Sequence, residues 1–261
     1  MKIATWNINS VRIRIDAIRQ YLQHEHPDIL CLQETKVQDD LFPVEAIKDL
    51  GFEYIYFHGE KSYNGVAILS KHELQLLDNL KFAEIPHTRH ISALLPGDIE
   101  LHNFYFPAGG DIPDIKLNPK FKHKLDYVRE AKEWFSDNRK QDDKIILLGD
   151  LNIAPLENDV WSHKQLLNVV SHTPTEVEHL NNLYKSISFE DGVRKFVPED
   201  QKLYSWWSYR NRDWKKSNRG RRLDHIWGTK PVADCISEHS ILTLARDFEK
   251  PSDHVPVSIT L

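Results

Sequence analysis

The sequence predicts an α/β protein, and three stretches predict it. Ile145, Ile146, Leu147 and Leu148 form an unbroken apolar run, the pattern of a strand buried on both faces. Residues 2–32 place a short strand, an amphipathic helix and a second apolar run in succession, which is the repeating unit of layered α/β sheets. From Phe121 to Phe135 the residues Phe121, Leu125, Val128, Ala131 and Phe135 share one helical stripe, which leads straight into the run at Ile145.

Taken in order, Lys2–Asn9 reads as a strand ending in two asparagines, Asn7 and Asn9. Ser10 is placed to cap a helix carrying Val11, Ile15, Ile18, Tyr21 and Leu22, which Pro27 stops. Ile29–Leu32 is the second strand, closed by Gln33-Glu34-Thr35-Lys36. A short helix from Pro43 to Leu50 ends at Gly51. Glu53–Phe57, Gly65–Ser70, Ile91–Leu95 and Ile99–Tyr105 read as sheet, the last followed by a loop with Gly109 and Gly110. The run at Ile145 stops at Gly149-Asp150-Leu151-Asn152, where a glycine permits a tight turn and alternation puts Asp150 and Asn152 on one side. Helical pieces are expected near Gln165–Val170 and Val177–Ile187, and strands at Leu223–Trp227 and Val255–Thr260. The ends Asn7-Ile8-Asn9 and Asp150-Leu151-Asn152 echo each other, as two similar half-sheets would. No linker or repeat divides the chain, so one domain over residues 1–261 is expected.

Composition excludes several classes. No stretch approaches the roughly 18 apolar residues of a membrane span, and the N-terminus lacks a signal-like pattern, so a cytoplasmic protein is expected. Cys31 and Cys235 have neither zinc nor redox spacing, which makes thiol chemistry an unsuitable reading. The net charge of -5 does not announce a polyanion partner, but its distribution does. Arg210 to Arg222 holds seven basic residues and one acid, interleaved or flanked by Trp206, Trp207, Tyr209 and Trp214. Cations meet phosphates and flat rings meet bases or sugars in such a stretch; its bland alternative is a solvated loop over core tryptophans.

The polar groups that end apolar strands are Asn7, Glu34, Tyr105, Asp150, Asn152, Asp224, Asp253 and His254. Singly, each is an ordinary cap or loop residue. Together they are mostly hard oxygen donors, which suit Mg²⁺, or Mn²⁺, and a phosphate substrate rather than zinc.

Eight motifs, in order, closely resemble exonuclease III, the bacterial apurinic/apyrimidinic endonuclease group of the endonuclease/exonuclease/phosphatase superfamily. They are WNINSVR at Trp6, LQETK at Leu32, DDLFP at Asp39, YFP at Tyr105, GDLNIAP at Gly149, SWW at Ser205, NRGRRLDHI at Asn218 and KPSDHVPV at Lys250. The resemblance implies a four-layer α/β sandwich, two packed sheets with helices outside and the site where loops converge at one end. It implies Glu34 as the principal metal carboxylate, with Asn7, Asp150, Asn152, Asp253 and His254 around the metal or phosphate. Asp150 would orient or deprotonate the attacking water, and Asn152 would hold that water or a phosphoryl oxygen. His254, aligned by Asp224, would bond the scissile phosphate, while Tyr105 would stabilise the phosphate or the leaving oxygen. Trp206, Trp207 and Leu223 would wall a pocket for an extruded abasic sugar; Lys36, Arg210, Arg212, Arg219, Arg221 and Arg222 would grip the duplex.

The expected activity is a Mg²⁺-dependent DNA repair nuclease acting as a monomer on double-stranded DNA with abasic sites or damaged 3′ ends. The alternatives are another phosphodiesterase or phosphatase of the superfamily, and a catalytically silent DNA-binding protein. Two places depart from the family pattern. Arg221 stands where an apolar residue is commoner, and Ala108-Gly109-Gly110 replaces a polar residue plus one glycine. Both bear on substrate preference rather than on hydrolysis.

Overall fold

Two six-stranded sheets organise the chain. The computed structural model describes residues 1–84, 87–211 and 213–261. The first half runs β1 (Lys2–Asn7), α1 (Ile15–His24), β2 (Ile29–Gln33), α2 (Val44–Lys48), β3 (Tyr54–Glu60), β4 (Tyr63–Ser70), β5 (Gln75–Leu76), β6 (His90–Leu95), β7 (Ile99–Tyr105) and α3 (Pro119–Asn138). The second half runs β8 (Ile145–Asp150), α4 (His163–Leu166), α5 (Pro174–Ser186), β9 (Glu190–Asp191), β10 (Trp206–Trp207), α6 (Trp214–Ser217), β11 (Gly220–Arg221), β12 (Asp224–Gly228), α7 (Lys230–Ala233), β13 (Glu238–Ile241) and β14 (Val257–Thr260).

One sheet has the order β13-β14-β1-β2-β4-β3 and the other β5-β6-β7-β8-β12-β9; β10 and β11 pair separately. β1 lies between parallel β2 and antiparallel β14, and β8 lies between parallel β7 and antiparallel β12. The echo between the two strand ends thus has a counterpart in topology.

Alternation along each strand builds four layers. Ile3, Ile29, Cys31, Ile68, Leu101, Ile146, Leu148 and Ile226 meet between the sheets. Ala4, Trp6, Leu30 and Leu32 face the other way, against Ala17, Ile18 and Tyr21 of α1. Ile145, Leu147 and Phe104 pack outward on Val128, Ala131 and Phe135 of α3 and Leu180 and Leu183 of α5. Each such fully buried aliphatic side chain contributes about 1.5–3 kcal/mol. β8 is therefore covered on both faces, as its unbroken apolar run requires. α5 begins with a capping box, Thr173 accepting from Glu176 N–H and the Glu176 carboxylate accepting from Thr173 N–H.

Three local expectations change. Ser10 does not cap α1, which begins at Ile15; with φ 85° it donates its N–H to Glu34 O instead. Gly149 does not make a turn. It lies inside β8, where an added Cβ would fall 1.9 Å from Phe104 O, so glycine is needed for close strand approach. The turn comes later, at Asn152 with φ 53°. The two-residue strands β9, β10 and β11 are too short to show a period of two, and β13 also passes unseen in the sequence. Among the described residues no helix is long and apolar enough to cross a membrane.

Candidate active site

Register brings the first part of the site together. Tyr105 on β7 is opposite Asp150 on β8, and Asp150 is opposite Asp224 on β12, so the three stand in one row across the sheet. In the facing sheet Asn7 ends β1 beside Gln33, and Glu34 follows directly. The connecting backbone is strained there: Asn9, Ser10, Glu34 and Lys36 all have positive φ. Backbone bonds brace it, with Val11 N–H on Thr35 O, Thr35 N–H on Gly65 O and Lys36 N–H on Asn64 O. A buried amide pair clamps the sheets just below: Gln33 Nε2 donates to Asn103 Oδ1 at 2.7 Å.

One hydrogen-bonded chain then crosses the cleft floor. Asn7 Nδ2 donates to Glu34 Oε1 (3.0 Å) and Asp150 Oδ2 (2.8 Å), and Tyr105 OH donates to the same Glu34 oxygen (2.7 Å). Asp150 Oδ1 accepts its own loop's Asn152 N–H, while Oδ2 also accepts from Asn152 Nδ2 at 3.1 Å. His254 Nδ1–H donates to Asp224 Oδ2 (2.8 Å), which also accepts from Ser205 Oγ (2.6 Å). His254 Nε2 is 3.7 Å from Asp150 Oδ2, too far for a hydrogen bond, and the ring lines the cleft.

Burial and like charge shift these groups. Burial raises the Asp150 carboxyl above the ordinary range; His254 opposes this, and Asp224 and Glu34 reinforce it. Burial alone would depress His254, but Asp224 and Asp150 outweigh it and hold the imidazolium well past its usual range. Burial would also raise Glu34, yet Lys36 and the donated hydrogen bonds keep it ionised. Burial, with Glu34 and Asp150 adding to it, keeps the Tyr105 phenol protonated.

Glu34, Asn152 and Asp253 line the cleft and offer hard oxygen donors to a divalent cation. Glu34 Oε2 already holds a cation, the Lys36 ammonium at 2.6 Å, so the site fits a hard positive ion. Asp150, Asp224 and His254 also have ligand atoms within 4.8 Å of one another. Within that trio His254 Nδ1 is hydrogen-bonded to Asp224 Oδ2, which leaves Nε2 directed at the cleft. Asn7 gives both its amide N–H bonds to carboxylates, and its oxygen accepts Asn9 N–H.

The cleft, about 700 Å³, is lined by Trp206 and Leu223 as well as by Glu34. Asp253 Oδ2 accepts from Trp206 Nε1 and its Oδ1 from Asn9 Nδ2. Trp207 is not in that lining: it is 3% exposed, packs on Trp214 and donates to Asn218. Arg222 is not a DNA contact either. It is buried among Asp159 and Asp191, which its guanidinium pairs. Arg221 is turned inward, donating to Val170 O and Ser171 Oγ. Lys36 is engaged by Glu34 and by Asn9 Oδ1 (2.7 Å). Arg210 and Arg219 remain exposed on the cleft rim, Arg219 lying 4.7 Å over the Trp161 ring. Arg212 lies outside the described residues.

The profile of the Endonuclease/Exonuclease/phosphatase family matches residues 4–254. The chain belongs to this family. It is similar to exodeoxyribonuclease III of Haemophilus influenzae, 31% identical over 98% of both chains. An AP endonuclease from Archaeoglobus fulgidus superposes with a TM-score of 0.92 at 31% identity, over 100% of this chain and 99% of that one. A Neisseria 3′ phosphatase bound to a product DNA hairpin gives a TM-score of 0.90 at 31% identity, over the same shares.

In this member of the endonuclease/exonuclease/phosphatase family the sequence reading missed one supporting residue. Lys124, wholly buried on α3, pairs with Glu176 and donates to Ala108 O (3.3 Å) and Asn152 O (2.8 Å). It ties together the loops after β7 and β8 that carry the cleft. Its only signal is a lysine within the α3 stripe between Phe121 and Leu125, which resembles any exposed helical lysine.

Proposed function

We propose that this chain is a cytoplasmic, monomeric, Mg²⁺-dependent DNA repair nuclease. It hydrolyses the phosphodiester 5′ to abasic sites and removes nucleotides or blocking groups from 3′ ends of double-stranded DNA. The observation that carries the reading is the row Tyr105–Asp150–Asp224, facing Glu34 across one cleft, with His254 hydrogen-bonded to Asp224.

Glu34, with Asp253 and the Asn152 oxygen, would hold Mg²⁺, which would neutralise an anionic phosphate oxygen. Asp150, with its proton affinity raised by burial, accepts a proton from water near neutral pH. Asn152 Nδ2 keeps Asp150 Oδ2 oriented. His254, positioned through Nδ1 by Asp224, presents Nε2–H to the phosphate, where negative charge develops. Tyr105 keeps its proton and directs it at Glu34, steadying that carboxylate. Arg210 and Arg219 meet the backbone at the rim.

Labelled duplexes carrying an abasic-site analogue, a recessed 3′ end or a 3′ phosphate, each incubated with Mg²⁺ or EDTA, test this. Cleavage with Mg²⁺ and none with EDTA is expected. No cleavage of any of the three sinks the reading and leaves the two alternatives, a phosphodiesterase or phosphatase for another substrate and a silent DNA-binding protein.

A further inference from the structure

The wall beyond the acids is apolar. Trp161, Leu166, Val169, Val170, Trp206 and Leu223 line it, and most of them pack in one cluster with Ala154 and Val160. Such a recess beside hydrolytic groups suits a ring taken out of the duplex stack. Here the recess is crossed by a charged side chain. Arg221 faces Trp206 directly across the β10–β11 pair, so the two share a face. Its guanidinium carbon lies 5.3 Å from the Trp206 ring centre, and Nη1 donates to Val170 O (2.9 Å) and Ser171 Oγ (2.7 Å) on the opposite side. Its Nε is buried with no hydrogen-bond partner among the described residues. The side chain thus spans the recess from wall to wall.

On the nuclease reading, two reactions share one bond change. The water oxygen bonds to phosphorus, the bond from phosphorus to O3′ breaks, and O3′ takes a proton. The substrates differ in what phosphorus carries on its far side. At an abasic site it carries the 5′ oxygen of an extruded deoxyribose, which needs a recess; a 3′ phosphate carries only bare oxygens there. Admitting the sugar requires the guanidinium to leave Trp206 and give up two charge-assisted hydrogen bonds.

We infer that Arg221 determines substrate preference: by lying across the recess between Trp206 and Val170 it makes the enzyme favour 3′ phosphates over abasic sites. The inference rests on the proposed nuclease activity and ranks its two branches.

The test compares kcat/KM with Mg²⁺ on two duplexes, one ending in a 3′ phosphate and one holding an internal tetrahydrofuran abasic analogue. The native enzyme is expected to prefer the 3′ phosphate by about tenfold or more, the scale on which a pocket discriminates small groups. Arg221→Leu should raise the abasic-to-phosphate ratio by about tenfold or more. Ser171→Ala, which unties one end of the guanidinium, should raise the same ratio by a smaller factor, and it carries the test if Arg221→Leu fails to fold. A native enzyme that favours the abasic duplex, or a ratio unchanged or lowered in the folded variants, overturns the inference. Native protein inert on both duplexes would instead overturn the nuclease reading.

Discussion

Two of the groups of buried acids and bases in this chain are balanced differently. Asp159 and Asp191 meet Arg194 and Arg222: Asp159 pairs Arg194 at 2.6 Å and Arg222 at 3.6 Å, and Asp191 bonds the same Arg222. Each carboxylate there has a guanidinium. In the cleft, among the described residues, the ion pairs of Glu34, Asp150 and Asp224 are made only with Lys36 and His254, and Asp253 makes none. The first group is closed, and its members hold strands and loops together. The second has more negative than positive charge, which costs folding free energy unless a cation or substrate partner completes it. Charge balance therefore separates architecture from chemistry better than residue type does, since Arg222 lies within the basic stretch that the sequence assigns to DNA.

The sharpest way to break this contrast is Asp150→Asn. Turnover on the abasic or 3′-phosphate duplex should fall by at least about 10²–10⁴-fold, the range for lost general-base help. The melting temperature should not fall, because the substitution removes a charge from an acid-rich cluster. An unstable variant with normal turnover would erase the distinction. The mirror image is Arg222→Leu. It leaves Asp159 and Asp191 short of a partner and should cost about 3–5 kcal/mol in urea unfolding. Activity per folded molecule should survive.

Lys124→Met probes a pair that belongs to both regions, buried like the first and bonded to the Asn152 loop of the second. We expect kcat to fall about tenfold with KM little changed, the signature of a displaced catalytic loop. Steady-state kinetics beside a thermal melt would show whether the loss is positional or global. Arg210→Ala with Arg219→Ala tests the rim: DNA affinity should weaken, with the salt slope shallower by about 0.9 for each phosphate that is no longer neutralised. An unchanged slope would remove both residues from the interface.

The smallest expected effect concerns a neutral cluster. Leu80 N–H donates to His90 Nδ1, so His90 Nε2–H donates to His102 Nδ1, and His102 Nε2–H donates to Glu100. Burial pushes both imidazoles below their usual range, His90 furthest. Glu100, despite burial, is drawn down to about 2 by His102 and Arg139. The unfolded chain binds protons on these histidines as pH falls past about 6.5 and the folded chain does not, so stability is lost on the acid side. Glu100 adds to that loss only at lower pH, as its carboxyl titrates. The melting temperature should drop between about pH 7 and 5, and His102→Gln should flatten the slope.

Much of the site was legible because it sits where strands end. Periodicity located β1, β2, β7, β8 and β12, and each carries at one end a polar residue that faces the cleft or borders it. Legibility failed where one residue type serves two ends. Trp206 and Trp207 are neighbours with opposite fates, one on the cleft and one in the core, because adjacent strand residues point to opposite faces. Arg219, Arg221 and Arg222 diverge in the same way: one exposed at the rim, one across the recess, one in an ion network. Local sequence carries no record of which acids will approach a given arginine.

By itself, the sequence determined the alternation of strand and helix, the double burial of β8 and the set of oxygen donors at the strand ends, because these follow from periodicity and residue chemistry along a few consecutive residues. Only the tertiary structure decided that Tyr105, Asp150 and Asp224 share a row, that Asn7 joins two carboxylates, and that Gly149 is required by Phe104 O. It also decided that Arg221 spans the recess. Each of these depends on the register between strands or the approach of loops far apart in the chain, distances over which the pattern of neighbouring residues holds no information.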